Sequence, residues 1–218
     1  MVAAAESMAD ASRAGVLFPA EAAAVRTAGP RRRADFAAGR LCARAAMALL
    51  DLPATPILPG LAGQPQWPAG VTGSISHCAG YQACAVALTM NVTAIGIDAE
   101  PDVRLPAGLI EMVAAPREQG RIRQCAAIGP AVCWDRLLFS AKESAAKLWY
   151  PLTGQWLVFH DMTVRPAISG TFDVWLSPGP GRRPVDRPVS HLTGHWLARD
   201  GLIVTTITWT AVTHPRCQ

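Results

Sequence analysis

The sequence predicts an α+β protein in which two halves each pack one long helix against short strands. Three observations carry that prediction. Residues 31–50 form an Ala/Leu/Arg-rich helical run, residues 134–149 form a second, more apolar one, and short β-compatible runs broken by Gly and Pro fill the segments after each. The chain has 218 residues, half of them hydrophobic and 17% charged, which is enough apolar material for a core and excludes a compositionally disordered protein. That length suits one large domain or two small ones, and a division at residue 101 gives an N-terminal half, 1–101, and a C-terminal half, 102–218.

Taken in order, Met1 to Asp10 is alanine-rich but lacks a basic n-region, so it does not read as a signal peptide. The run RRRADFAAGRLCARAAMALL stops before Asp51-Leu52-Pro53, a helix-ending signal. Leu41, Ala45 and Ala48 share an apolar face, and Arg33, Arg40 and Arg44 line a basic stripe beside it whose ordinary reading is a solvated edge. Residues 51–70 hold five prolines and three glycines and form an irregular connector. GSISHCAGYQACAVALT reads as strand, turn, then strand or short helix, and NVTAIGIDAEP as a strand ending at Pro101. Residues 102–133 read as loop and short helices, and the helix from Trp134 ends before Pro151-Leu152-Thr153-Gly154. Runs at 156–159, 171–176, 194–197 and 202–209 predict a sheet.

No uncharged apolar stretch reaches the roughly 18–20 residues of a bilayer span, so a soluble, cytoplasmic, monomeric protein without membrane or nucleic-acid partners is expected. The net charge of +4 favours acidic partners only slightly. Cys42, Cys78, Cys84, Cys125, Cys133 and Cys217 include no CxxC pair and are expected as reduced thiols.

Chemistry concentrates in two places. Asp98 and Glu100 sit two apart at a strand end, leave the same face and are expected to be exposed there; paired carboxylates of this kind suit a hard divalent cation such as Mg²⁺, or else are solvated acids. In FSAKESAAK, Glu143 and Lys147 lie at i, i+4 as an ordinary helical ion pair would. With Lys142 they form three charges in an apolar helix, which points to a shared polar site. His77 follows Gly73-Ser74-Ile75-Ser76. His160, His191, His195 and His214 complete the histidines, and the HxxxH pair at 191 and 195 lacks the glutamate and third ligand of a zinc hydrolase.

Taken together, GQPQWP at 63–68, GSISH at 73–77, GIDAEP at 96–101 and FSAKE at 139–143 with Lys147 resemble the 4′-phosphopantetheinyl transferases, in particular the larger single-chain type of siderophore, non-ribosomal peptide and polyketide pathways. The resemblance implies two similar α/β halves related by a pseudo-two-fold with coenzyme A in the cleft between them. It implies Asp98, Glu100 and Glu143 as Mg²⁺ ligands, Lys142 and Lys147 on the pyrophosphate, and His77, Arg40 and Arg44 on the 3′-phosphate. Relatives of this type often carry a basic residue where this chain has Leu61-Ala62 and an aromatic one where it has Ala146.

The implied reaction moves the phosphopantetheine arm of coenzyme A to a serine of an apo acyl or peptidyl carrier protein and releases 3′,5′-ADP. Glu143, or as second choice Glu100, would act as general base, with Lys142 and Lys147 offsetting phosphate charge. Arginines between 104 and 123 are possible docking points for an acidic carrier. Two alternatives are a non-catalytic coenzyme A or nucleotide-binding protein of the same fold, and a metal-dependent pyrophosphate hydrolase. The chain lacks the REx₂EE helix of the latter.

Overall fold

The computed structural model describes residues 1–8, 17–78, 80–129, 131–177, 179 and 189–211. In chain order these form β1 (Val2–Met8), α1 (Pro19–Ala24), α2 (Pro30–Ala48), β2 (Val71–Cys78), β3 (Tyr81–Leu88), β4 (Ala94–Pro101), α3 (Leu109–Val113), α4 (Pro116–Ile128), α5 (Trp134–Thr153), a 3₁₀ turn (Phe159–Asp161), β5 (Met162–Pro166), β6 (Thr171–Leu176), β7 (His191–Arg199) and β8 (Leu202–Trp209). The strands make two antiparallel sheets, ordered β1-β3-β2 and β4-β8-β7-β6-β5. No helix among the described residues is long and apolar enough to cross a membrane.

Helix α2 starts at Pro30, whose fixed φ suits a first helical position. It ends two residues short of the sequence boundary, where Asp51 takes a left-handed φ of 56° before Leu52-Pro53. Its Ala43, Ala46 and Met47 bury against Ala3, Ile57, Val71, Cys84 and Val86 of the first sheet and the connector. The helix expected over 134–149 runs on through Pro151 to Thr153, and Gly154, at φ 65°, caps it with its N–H on the Tyr150 carbonyl. Its Leu137, Leu138, Ala145 and Leu148 pack on Val164, Phe172, Val174, Ile203 and Ile207 of the second sheet.

Two segments differ from the sequence reading. Residues 156–159 form no strand; they lead into the 3₁₀ turn. The alanine-rich start, left without an element, pairs along β3 as an edge strand because Ala side chains fit close to a neighbouring ladder.

The division at residue 101 cuts one strand later than the hydrogen bonding does: β4 ladders with β8 and belongs to the second sheet. Its other edge faces β2 without a backbone ladder. There Ser74 and Ser76 accept the Ile97 and Ala99 N–H groups at 3.1 and 3.0 Å, so two hydroxyls two residues apart satisfy amides that would otherwise be orphaned. Behind this seam Tyr81, Ala83 and Ala85 of β3 pack with Ile95, Ile97 and Ala99 of β4. Gly96 admits α5 to the other face of β4, since a Cβ there would overlap the backbone carbonyl of Ser144. That close approach lays Glu143 and Lys147 over Asp98.

Candidate active site

Asp98 is buried, 4% exposed, rather than the exposed strand-end acid the sequence suggests, because α5 closes over it. Its Oδ1 accepts Lys147 Nζ at 2.7 Å and Ser76 Oγ at 3.0 Å. Lys147 Nζ also donates to Ser76 Oγ at 3.0 Å. Lys147 therefore reaches across to β4 for its carboxylate partner. The other oxygen, Asp98 Oδ2, is buried with no hydrogen-bond partner among the described residues, a costly position for a carboxylate oxygen unless a ligand completes it.

Glu100, on the same strand face, accepts Arg136 Nη1 at 2.9 Å. Burial and the charge of Asp98 push its pKa up, with Arg136 opposing. The Glu143 pKa is also pushed up, by burial first and Asp98 second, with Lys147 opposing and Glu100 adding to the rise. Three carboxylates thus feel one another in a poorly solvated place.

Among the described residues no group of three or more His, Cys, Asp or Glu side chains is arranged to hold a metal ion. The donor chemistry nevertheless fits a hard divalent cation. All three groups offer oxygen, one oxygen is orphaned, and two acids are disfavoured in their ionised form by burial first and by Asp98 second. Lys147 and Arg136 supply positive charge to the cluster in the structure.

Beside these acids lies a cleft of about 260 Å³. The 62–65 turn and Gly73, Ser74 and Ile75 of β2 form one wall, and Glu143, Ala146, Lys147 and Tyr150 of α5 form the other. Trp156 closes one end, tilted against Tyr150 with ring centroids 4.8 Å apart. Ala62 and Ala146 both line this cleft.

His77 is placed elsewhere than expected. It lines a smaller pocket with Arg31, Asp35 and Cys78, its Nε2 4.0 Å from Asp35 Oδ2. Burial lowers its pKa, Asp35 opposes, and Lys147 and Arg32 add to the lowering. The expected partners Arg40 and Arg44 do not line that pocket, and both are built into the core.

Arg44 Nη1 bonds Glu21 Oε1 and Oε2 at 3.1 and 3.0 Å, and the fully buried Glu21 also accepts the Ile57 and Phe18 amides. Arg40 donates from Nε to the Ile57 carbonyl at 2.8 Å and stacks on Phe36 at 3.9 Å; burial lowers its pKa to about 10, and its buried Nη2 is unpartnered among the described residues. At Arg40 and Arg44 the stripe is neither a solvated edge nor part of the His77 pocket, whereas Arg33 is exposed. Arg31, more than two turns earlier, lines the His77 pocket, and Lys147 and Arg32 add their positive field to it.

Lys142 requires a second correction. At about 100° per residue it points roughly 140° away from Lys147, so the two cannot share a face. It is fully buried on the far side of α5, donating to Glu118 Oε2 at 2.8 Å, the Val113 carbonyl at 2.7 Å and the Phe159 carbonyl at 3.0 Å. Glu118 in turn accepts the Ala115 and Val164 amides. Burial lowers the Lys142 pKa against the pull of Glu118. Lys142→Met leaves a buried carboxylate without its cation and is expected to cost about 3–5 kcal/mol in urea unfolding, part of which Glu118→Gln restores.

Of the remaining histidines, His191 and His195 lie on one face of β7, where His191 Nε2 sits 3.0 Å from Asp173 Oδ1 on the exposed sheet surface. Cys42, Cys78, Cys84, Cys125 and Cys133 are free thiols, while Cys217 and His214 lie outside the described residues.

A long helix closes on a strand through a glycine, bringing Glu143 of the cleft wall over Asp98 of the strand, and comparison with known proteins names the class. Residues 20–87 match the 4′-phosphopantetheinyl transferase N-terminal domain and residues 94–198 the 4′-phosphopantetheinyl transferase superfamily model. The break between them falls in the β3–β4 connection, where hydrogen bonding changes sheet.

The chain is 48% identical over 198 residues to the 4′-phosphopantetheinyl transferase Svp of Streptomyces mobaraensis, covering 88% of this chain and 78% of that protein. It is 39% identical over 199 residues to the 4′-phosphopantetheinyl transferase Npt of Nocardia iowensis, covering 88% of each. Enterobactin synthase component D of Escherichia coli K12 matches at 39% over 123 residues, 55% of this chain and 56% of that protein. The chain belongs to the 4′-phosphopantetheinyl transferase superfamily.

Proposed function

We propose that the protein transfers the 4′-phosphopantetheine arm of coenzyme A to a serine of an apo acyl or peptidyl carrier protein, releasing 3′,5′-ADP. The observation that carries this reading is the cluster beside the cleft: Glu143 and Lys147 line the cleft wall, Lys147 holds the Asp98 whose Oδ2 is orphaned, and Glu100 stands on the same strand face. With a divalent cation offsetting the three carboxylates, the arrangement suits an anionic diphosphate better than a neutral ligand, and the cleft beside it suits a slender arm.

Mg²⁺ held by Asp98, Glu100 and Glu143 would supply Lewis acidity and charge neutralisation at the diphosphate. The chain's own groups carry the rest. Lys147 turns its ammonium from Asp98 towards phosphate oxygens. Glu143, whose pKa burial and Asp98 raise, takes the serine proton as the hydroxyl attacks the β-phosphorus; the P–O bond to the 3′,5′-ADP oxygen breaks and its electron pair leaves with ADP. Glu100 is the less suitable base because its carboxylate is already committed to Arg136. The turn at 62–65 and β2, with Tyr150 and Trp156, line the passage for the arm.

Incubation with coenzyme A, Mg²⁺ and apo-carrier proteins of fatty-acid, polyketide, peptide and siderophore systems tests this. A gain of about 340 Da on the carrier by intact mass is the result expected for this phosphoryl-transfer class. Binding of coenzyme A with no gain on any carrier would favour the non-catalytic alternative.

His77 with Arg31 and Arg32 is the proposed seat of the 3′-phosphate, since these are the groups that share a pocket and a field. Replacing Arg31 or His77 by alanine is expected to lower kcat/KM for coenzyme A roughly 10- to 150-fold, the worth of one charge-assisted hydrogen bond. Dephospho-coenzyme A should be hardly affected, and equal losses on both substrates would return these residues to a structural role.

A further inference from the structure

We infer that Arg136 is a positioning residue that acts through Glu100: it fixes one carboxylate of the cluster, and its loss weakens divalent-cation binding. The inference rests on the reading of Asp98, Glu100 and Glu143 as cation ligands. Arg136 lies seven residues before Glu143 and eleven before Lys147, so at 3.6 residues per turn the three share one face of α5 in the order plus, minus, plus. The two cations bracket Glu143, and each holds one carboxylate of β4: Lys147 holds Asp98 and Arg136 holds Glu100.

The guanidinium uses three N–H groups at once. Nη1 goes to Glu100 Oε2 at 2.9 Å, Nε to the Val103 carbonyl at 3.0 Å and Nη2 to the Arg104 carbonyl at 3.2 Å. The same loop is tied to the start of α5 twice more, by Cys133 N–H on Asp102 Oδ1 at 2.8 Å and Leu105 N–H on Asp135 Oδ2 at 3.1 Å. With those two ties in place, the contact of Arg136 that the loop does not require is the one to Glu100.

That bond is the only hydrogen bond of the Glu100 carboxylate among the described residues, and both side chains are mostly buried, at 14% and 20% exposure. A carboxylate pressed by Asp98 and freed from its fork would rotate away from its neighbours. Lysine does not reproduce the fork, because Arg136 reaches Glu100 and the two carbonyls from three separate nitrogens of a planar group, whereas an ammonium is a single point donor. Groups that hold a metal ligand by hydrogen bond typically account for 10- to 100-fold in metal affinity.

The test is titration of the protein with Mn²⁺, a paramagnetic stand-in for Mg²⁺, followed by electron paramagnetic resonance at saturating coenzyme A. Wild type, Arg136→Met, Arg136→Lys, Glu100→Gln and the Arg136→Met/Glu100→Gln pair are compared. Arg136→Met should weaken Mn²⁺ binding about 10- to 100-fold, and the drop should vanish in the Glu100→Gln background, where there is no charged carboxylate left to hold. Arg136→Lys, which keeps the charge and so folds where the methionine variant does not, should weaken it in the same sense. A drop below tenfold in both variants, or one that persists in full with Glu100→Gln, would overturn the inference and leave Arg136 as a loop anchor. No Mn²⁺ bound by the wild type would instead sink the cation reading itself, and this inference with it.

Discussion

Glu143→Gln is expected to reduce turnover by roughly 10²- to 10⁴-fold, the usual cost of removing a general base, while coenzyme A affinity changes far less. The amide keeps the shape of the side chain at the cleft wall but cannot accept the serine proton. Burial and the neighbouring Asp98 raise the Glu143 pKa, so the acid limb of the rate profile should fall at higher pH than for an ordinary carboxylate. The stability consequence has a definite sign. A carboxyl whose folded pKa lies above its unfolded one destabilises the fold when ionised; the penalty is present in full above the folded pKa and disappears below the unfolded one. Metal-free Glu143→Gln should therefore melt higher than wild type at neutral pH, with the difference shrinking on acidification. Steady-state kinetics and thermal melts across pH check both limbs. Retention of more than about a tenth of wild-type turnover would move the base to Glu100.

The carboxylates were legible in the sequence because their signals are local. A strand that ends in Asp-x-Glu-Pro must put both acids on one face, and Glu143 and Lys147, one turn apart, must lie together whatever the helix packs against. The partners of these residues were not legible, because they come from contacts that no spacing encodes. Lys147 is a suitable helical mate for Glu143, yet it pairs with Asp98 on the β4 face beneath α5, 49 residues away. Arg136 and Glu100 are 36 residues apart, and Arg44 and Glu21 are 23 apart.

Lys142 shows where local reasoning could have gone further. Helical geometry alone sends it to the opposite side from Lys147, and only the habit of reading charges as solvent-facing or site-facing hid a buried pair with Glu118. The arginine stripe failed for the reverse reason. Its spacing was right for one helix face, but Glu21 and the Ile57 carbonyl, from a short helix and an irregular connector, drew Arg40 and Arg44 into the core and left only Arg33 exposed. The seam at Ser74 and Ser76 could not be read either, since a serine in a strand carries no mark of the edge it will meet.

Asp98→Asn and Asp98→Ala should both remove transfer below detection, and here the structure changes the reason. As an exposed acid, Asp98 would contribute only charge, and its removal would leave stability unchanged or slightly higher. As a buried one it holds Lys147 and Ser76, so its loss strands an ammonium and a hydroxyl. Lys147 remains about a third exposed and can turn to water, so the cost should stay below the 3–5 kcal/mol of breaking a fully buried pair. Asparagine keeps an acceptor for Ser76 and Lys147 and should be the milder of the two in urea unfolding, although both are equally inactive. The two variants therefore separate support of the fold from service to the cation. If asparagine restored measurable transfer along with stability, Asp98 would be a scaffold for Lys147 and the cation would have to be held by Glu100 and Glu143 alone. If it restores stability but not transfer, the charge on the orphaned Oδ2 is what the reaction uses.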